Sequence, residues 1–247
     1  MASVNPFFAA GEFLPANFLQ IYAVLMFLAV VAGTLYDLWH KRSARFFAAQ
    51  QQRARARATR PLRSGERALL AAQTLLHEVA ASGEFCAWQR RLSHLLMSWG
   101  FVLYLLATVA LVFLHAGNPQ PPLLWPLLWN LGAVMVLVGG LWFFFVLRVD
   151  VAREARPPWR LVRADLFIVT LLLSVACALL YEIAILTRHP GAIQATFIVY
   201  LFFTTLLFVT VPWSKFAHMF YKPAAALQRR VEQADGSSDL PRPAARE

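Results

Sequence analysis

The sequence predicts an all-α integral membrane bundle of five transmembrane helices, and three observations carry that prediction. Of its 247 residues, 59% are apolar and 15% charged, whereas a soluble domain carries about 25% charge. Mean hydropathy is +0.54, with 20 Phe and 8 Trp, more apolar surface than a soluble fold of this length can cover. This apolarity is gathered into five runs. Each is long enough to cross a hydrocarbon core of about 30 Å, which takes about 20 residues at about 1.5 Å each. The runs are too long and too uniformly apolar for barrel strands, which alternate over about 10 residues.

The first run is Asn17–Trp39. No Lys or Arg precedes Lys41, so the run lacks the basic flank of a cleavable leader and is expected to remain as an anchor. A basic segment follows over 41–91. Within it, ERALLAAQTLLHEVAA sets Leu69, Leu70, Leu75, Leu76 and Val79 at helical spacing ahead of Gly83, which predicts an amphipathic helix near 66–81. The second and third runs, Leu92–Leu114 and Leu123–Leu147, are divided by NPQPP. REARPPWR precedes the fourth, Asp165–Leu186, and RHPG precedes the fifth, Ile193–Val211, which is expected to continue to about Phe220. A membrane domain over 1–220 results. The remainder, 221–247, reads as a tail with one short helix, AALQRRVEQA, followed by GSSDLPRPAARE, whose composition predicts disorder.

The cations orient the bundle, because loops rich in Lys and Arg stay cytoplasmic. Of 23 Lys and Arg, 22 fall on one face and only Arg188 on the other. The N-terminus is therefore expected outside and the C-terminus inside, in an inner (cytoplasmic) membrane. A pI of about 10.4 is accounted for by this topology and by anionic lipid headgroups, so membrane lipid is an expected partner and nucleic acid is not.

Several chemistries are excluded. Two cysteines, Cys86 and Cys177, cannot hold an iron–sulfur cluster or a four-cysteine zinc site. The sequence has no CxxCH for a c-type haem. LLHEVAA lacks the second histidine of a zinc-protease helix, since position 81 is Ala. No nucleophile constellation or phosphate loop is present, so chemistry must come from a bound cofactor or a partner. Six histidines remain: His40, His77, His94, His115, His189 and His218. His94 opens the second span and His218 closes the fifth. These helices run antiparallel, so the two imidazoles fall at a similar depth near the cytoplasmic face. Two neutral imidazoles at one level are what a bis-histidine haem b requires; histidines snorkelling at the interface would give the same depths.

The segments RRLSHLLMSWGFVLYL, ADLFIVTLLLSVACALL and PWSKFAHMFYKP, in that order on those spans, resemble the membrane cytochrome b subunits of the respiratory nitrate reductase gamma family. That family includes membrane anchors associated with adenylylsulfate reductase. The resemblance covers about 90–230 and is strongest at Pro212, Trp213, Ser214, Lys215, His218 and Pro223. It implies five spans with the N-terminus outside, and two b haems held by two histidines from each of the second and fifth helices. His94 and His218 match the pair nearer the cytoplasm. The distal pair falls at Tyr104, ten residues after His94, and at Tyr200, eighteen before His218. Losing both ligands together is what an abandoned site would leave. One haem is therefore expected, with Tyr104 and Tyr200 packed or hydrogen-bonded in the vacated space. A second haem has candidate ligands only in His115 and His189, near the outer boundary. Lys215 and Arg91 are candidate propionate contacts, Arg90 sits beside Arg91, and all three also serve topology. Gly100, Gly139 and Gly140 suit close approach of a macrocycle or, more simply, of a neighbouring helix. Glu182 could relay protons or pair with Arg188. The family's outer quinol site is associated with a lysine early in the third helix, and Leu123–Asn130 contains none.

The function expected from this resemblance is that of a membrane-anchoring haem b subunit. It would relay electrons between quinone and a cytoplasmic iron–sulfur oxidoreductase, in sulfur metabolism if the adenylylsulfate reductase branch applies. It would act as part of a complex, not as a stand-alone enzyme. The alternative is a haem-free scaffold or small-molecule transporter.

Overall fold

The computed structural model describes residues 4–40, 43–83, 85, 87–148, 160–162, 165–211 and 218–238, and sets aside the side chains of 43, 44, 46, 79 and 218–221. Among the described residues the chain is helical, without strands. The helices are α1 (Pro6–Ala10), α2 (Phe18–His40), α3 (Ser43–Arg57), α4 (Ser64–Thr74), α5 (Trp88–Val109), α6 (Leu124–Trp142), α7 (Leu166–Leu186), α8 (Pro190–Thr210) and α9 (His218–Asp235). α4, α5 and α6 each end in a π-helical turn, Leu75–Ala80, Ala110–Leu114 and Phe143–Leu147 respectively.

Five of these, α2, α5 through Leu114, α6 through Leu147, α7 and α8, are long and apolar enough to cross a membrane. They expose large side chains such as Phe27 (67%), Leu114 (71%) and Ile198 (64%), a surface that lipid covers and water would not. The fifth helix begins at Pro190, three residues ahead of Ile193, because a proline with its fixed φ suits the first helical position.

The chain divides into two compact units. The first comprises Met1–Gly33 and Cys86–Lys215, the second Thr34–Phe85 and Phe216–Glu247. In the first unit, α5 and α6 touch backbone to backbone. A Cβ on Gly132 would lie 2.6 Å from the Tyr104 nitrogen and 2.7 Å from the Gly100 carbonyl oxygen. One on Gly139 would lie 2.8 Å from the Ser93 carbonyl oxygen. Ser93 Oγ donates to the Gly139 carbonyl at 2.8 Å. Ser93, Gly100 and Ala107 on one helix, and Gly132 and Gly139 on the other, recur every seven residues, the spacing of a shallow left-handed crossing. Gly100 and Gly139 thus serve helix packing, as does Gly140, which faces Leu172 of α7. α7 and α8 are joined by Ser174 Oγ and Thr204 Oγ1 at 2.7 Å. The apolar window of α2 has none of its residues buried; Tyr22 anchors this helix through its hydroxyl, 2.9 Å from Thr205 Oγ1.

Arg148 and Asp165 hold the connection between the third and fourth spans. Arg148 is fully buried and Asp165 nearly so. Arg148 Nη2 donates to Asp165 Oδ2 at 2.6 Å and to the Arg160 carbonyl at 2.7 Å, with its guanidinium 4.8 Å from the Phe144 ring centroid. Asp165 Oδ2 also accepts from the Val162 amide. Arg148→Met would leave a buried carboxylate without its cation, so a loss of about 3–5 kcal/mol is expected in denaturation of the detergent-solubilised chain. Arg148→Met with Asp165→Leu should recover most of that loss, because no buried charge remains.

In the second unit, the long connection packs against the tail. The Thr59 amide and hydroxyl donate to the Asp235 carbonyl, each at 2.9 Å, and Arg60 Nε donates to the Ala234 carbonyl at 2.8 Å. Four spans separate these two segments, an even number, so five crossings put both on the same side of a membrane. The tail helix is longer than its sequence suggests, starting at His218 and not near 225. Arg230 Nη2 donates to Glu78 Oε1 at 3.0 Å, and His77 Nδ1 lies 3.6 Å from the same oxygen. Burial pushes the Glu78 carboxyl up, but the bond and charge of Arg230, with His77 beside it, outweigh this and hold it below its ordinary value. A depressed folded-state pKa stabilises above the unfolded carboxylate value of about 4.3, and that contribution is lost as pH falls through the folded value. Hydrogen exchange of α9 amides should therefore show about 1 kcal/mol less protection below about pH 4 than at pH 7. Arg230→Gln should remove that pH dependence.

Candidate functional site

His94 occupies the second turn of α5 and is half-buried. Its neighbours in the chain are already committed: Ser93 bonds to the Gly139 carbonyl, and Leu96 and Met97 pack on Gly139. The imidazole is thus carried on a helix locked against α6, at the end of the bundle marked by Arg148. Arg90 is half-buried and Arg91 exposed, one turn earlier. A helix fixed on its small-residue face is a rigid mount for a ligand on another face.

Ten residues along α5, about 15 Å, the side chains of α5 and α8 meet. Tyr104 Oη donates to Tyr200 Oη at 3.1 Å, and both residues are buried. The Tyr104 ring stacks on Trp129 with centroids 5.2 Å apart, and Trp129 Nε1 donates to Thr108 Oγ1 at 3.1 Å. Phe197 packs between Tyr181 and Tyr200, at 4.8 and 5.9 Å. This level is closed by its own side chains. An iron between two axial donors needs them about 4 Å apart, twice a metal–nitrogen bond of about 2 Å. Two phenols bonded to each other at 3.1 Å do not fit that group.

Toward the turns 115–123 and 187–189, the N-terminal segment fills the bundle. Asn5 is fully buried, and its Nδ2 donates to the His115 carbonyl at 2.8 Å. Tyr181 Oη donates to the Pro6 carbonyl at 2.7 Å, and Phe7 meets the Trp129 ring edge-on at 6.0 Å. His115, at the end of α5, leans on Trp125 with centroids 6.5 Å apart. His189 is exposed and precedes Pro190 as the helix cap. Asn5 and Pro6 are therefore wedged between the ends of α5 and α7 that carry these two turns.

His218 is the first residue of α9 and belongs to the second unit, seven residues after Val211. Lys215, together with Pro212, Trp213 and Ser214, lies outside the described residues. Glu182 takes its hydrogen bond from Asn130 Nδ2, at 2.9 Å, an interhelical pair between α6 and α7. Asn130 and Asn5 carry polar contacts that the sequence alone did not single out; each is a lone amide in an apolar run, which is the signal that could have marked it. Among the described residues, no group of three or more His, Cys, Asp or Glu side chains could hold a metal ion. Comparisons with family models, curated proteins and solved structures find no match.

Proposed function

We propose that the chain is a membrane-anchoring cytochrome b subunit that holds one haem b through His94 and His218. It relays single electrons between membrane quinone and an iron–sulfur oxidoreductase on the cytoplasmic side. The observation that carries this reading is His94, an ionisable side chain half-buried in a membrane helix, where such residues are costly and mark function. Its pairing with His218 rests on the resemblance of the two sequence segments around these histidines to the nitrate reductase gamma family. The closed Tyr104–Tyr200 contact supports one haem over two.

When bound, the haem supplies one-electron cycling of its iron. The chain's own residues do the rest. His94 and His218 offer neutral imidazole nitrogens, and Arg91 and Lys215 are cations suited to the propionates. The cytoplasmic loops, with 22 of the 23 Lys and Arg, steer an acidic partner. A single haem near one face carries no charge across the whole bilayer. Quinone therefore reacts near that face, which suits a cytoplasmic sulfur-oxidising enzyme of the adenylylsulfate reductase type delivering electrons to the quinone pool. A reduced-minus-oxidised spectrum of the purified chain tests the proposal. The expected result is a b-type band with about one haem per polypeptide. Absence of any band would leave a haem-free scaffold or transporter.

A further inference from the structure

The second unit contains a groove with a volume of about 230 Å³, formed where α9 crosses α3 and the start of α4. Phe47, Ala54, Leu227 and Val231 form its apolar wall, Gln51 and Gln228 are polar, and its charged residues are Arg55, Arg67 and Asp235, the last with its carboxylate engaged by the Ser237 amide. Both arginines are exposed. Among the described residues, neither makes an ion pair, whereas nearby Arg60 pairs with Glu66 and Arg230 with Glu78. α3 contains four arginines, at 45, 53, 55 and 57, and no acidic residue. Two guanidinium groups beside an apolar trough suit a ligand with an anionic oxygen cluster at one end and hydrocarbon at the other. The volume is below that of a drug-sized pocket, so the trough takes a glycerol backbone and the first methylenes of a longer chain.

The position of the groove in the chain selects the source of that ligand. α3 begins three residues after α2, a membrane span, ends, so Phe47, the first residue of the groove and four residues into α3, lies within about 17 Å of the span's end. We infer that this groove binds one anionic phospholipid of the surrounding membrane, the phosphate on Arg55 and Arg67 and the acyl root along Phe47, Ala54, Leu227 and Val231.

Native mass spectrometry of the full chain in detergent tests the inference, with phosphatidylglycerol and phosphatidylcholine of identical acyl chains added at matched concentrations. One phosphatidylglycerol should bind at least ten-fold more tightly than phosphatidylcholine. Arg55→Gln with Arg67→Gln should abolish that preference, while Arg53→Gln, on the same helix outside the groove, should keep it. Circular dichroism of the variants should match that of the parent. Retention of the preference in the double variant, or its equal loss in Arg53→Gln, would overturn the site. Displacement of the lipid by glycerol phosphate would assign the groove to a soluble phosphate, and displacement by a glutamate pentapeptide to an acidic protein partner; either outcome would overturn the lipid assignment.

Discussion

Haem content of the purified chain is expected to fall from about one per polypeptide to less than about a tenth when His94 is replaced by Ala, with the b-type band lost in parallel. Under the proposed ligation, the nearest other donor on α5 is the Met97 thioether, which is packed against Phe144, Ile168 and Leu172 and so is held away from the place of the lost imidazole. The bundle itself should survive, because α5 is held through Ser93, Gly100 and Tyr104, and circular dichroism should be unchanged. His94→Met provides a second arm, since a thioether can ligate the iron and raises its potential; part of the haem should be retained with a higher midpoint. His115→Ala should keep its haem, because that ring rests on Trp125 at the other end of the helix. Full haem content in His94→Ala would refute the proposed ligation.

Gly132→Leu should unfold the membrane unit more severely than any other single change at the α5–α6 contact. The atoms its Cβ would meet, at 2.6 and 2.7 Å, are backbone atoms of Tyr104 and Gly100 and cannot rotate away. The helices would have to separate, which breaks the Ser93–Gly139 hydrogen bond and the Tyr104–Trp129 stack. Overpacking of this kind costs about 3 kcal/mol or more, and without a hydrophobic drive between helices in lipid no other term restores it. Thermal or denaturant unfolding in detergent measures the loss. Gly117→Ala is the matched control: nothing lies within 4 Å of its Cβ, so a change within about 0.5 kcal/mol is expected.

Much of this architecture can be read from apolar run length alone, because each span must bury its backbone hydrogen bonds internally and is therefore a helix. The boundaries shift where helix-forming polar residues extend a span: α5 starts at Trp88, a turn before Leu92, through Gln89, Arg90 and Arg91. α3 has no apolar periodicity to announce it. Its signal is propensity, in the Ala, Gln and Arg of SARFFAAQQQRARAR, which a search for apolar stripes passes over. At the site, the meeting of Tyr104 and Tyr200 was legible because the resemblance aligned them with two positions that face each other. The Arg148–Asp165 pair was not, since its members are 17 residues apart and each also reads as an ordinary boundary charge. The same holds for Asn5, whose Nδ2 donates to carbonyls more than 100 residues away.

The bond between Thr59 and Asp235 joins positions 176 apart. A ribosome adding about 5–20 residues each second needs on the order of ten seconds or more to make the later one after the earlier has emerged. Throughout that interval the long basic connection waits without its partner helix, and it closes only if an even number of the intervening spans has crossed the membrane. One misthreaded span would strand the two halves on opposite sides of the lipid, so assembly of this small extramembrane unit reports that none of the four intervening spans has failed singly.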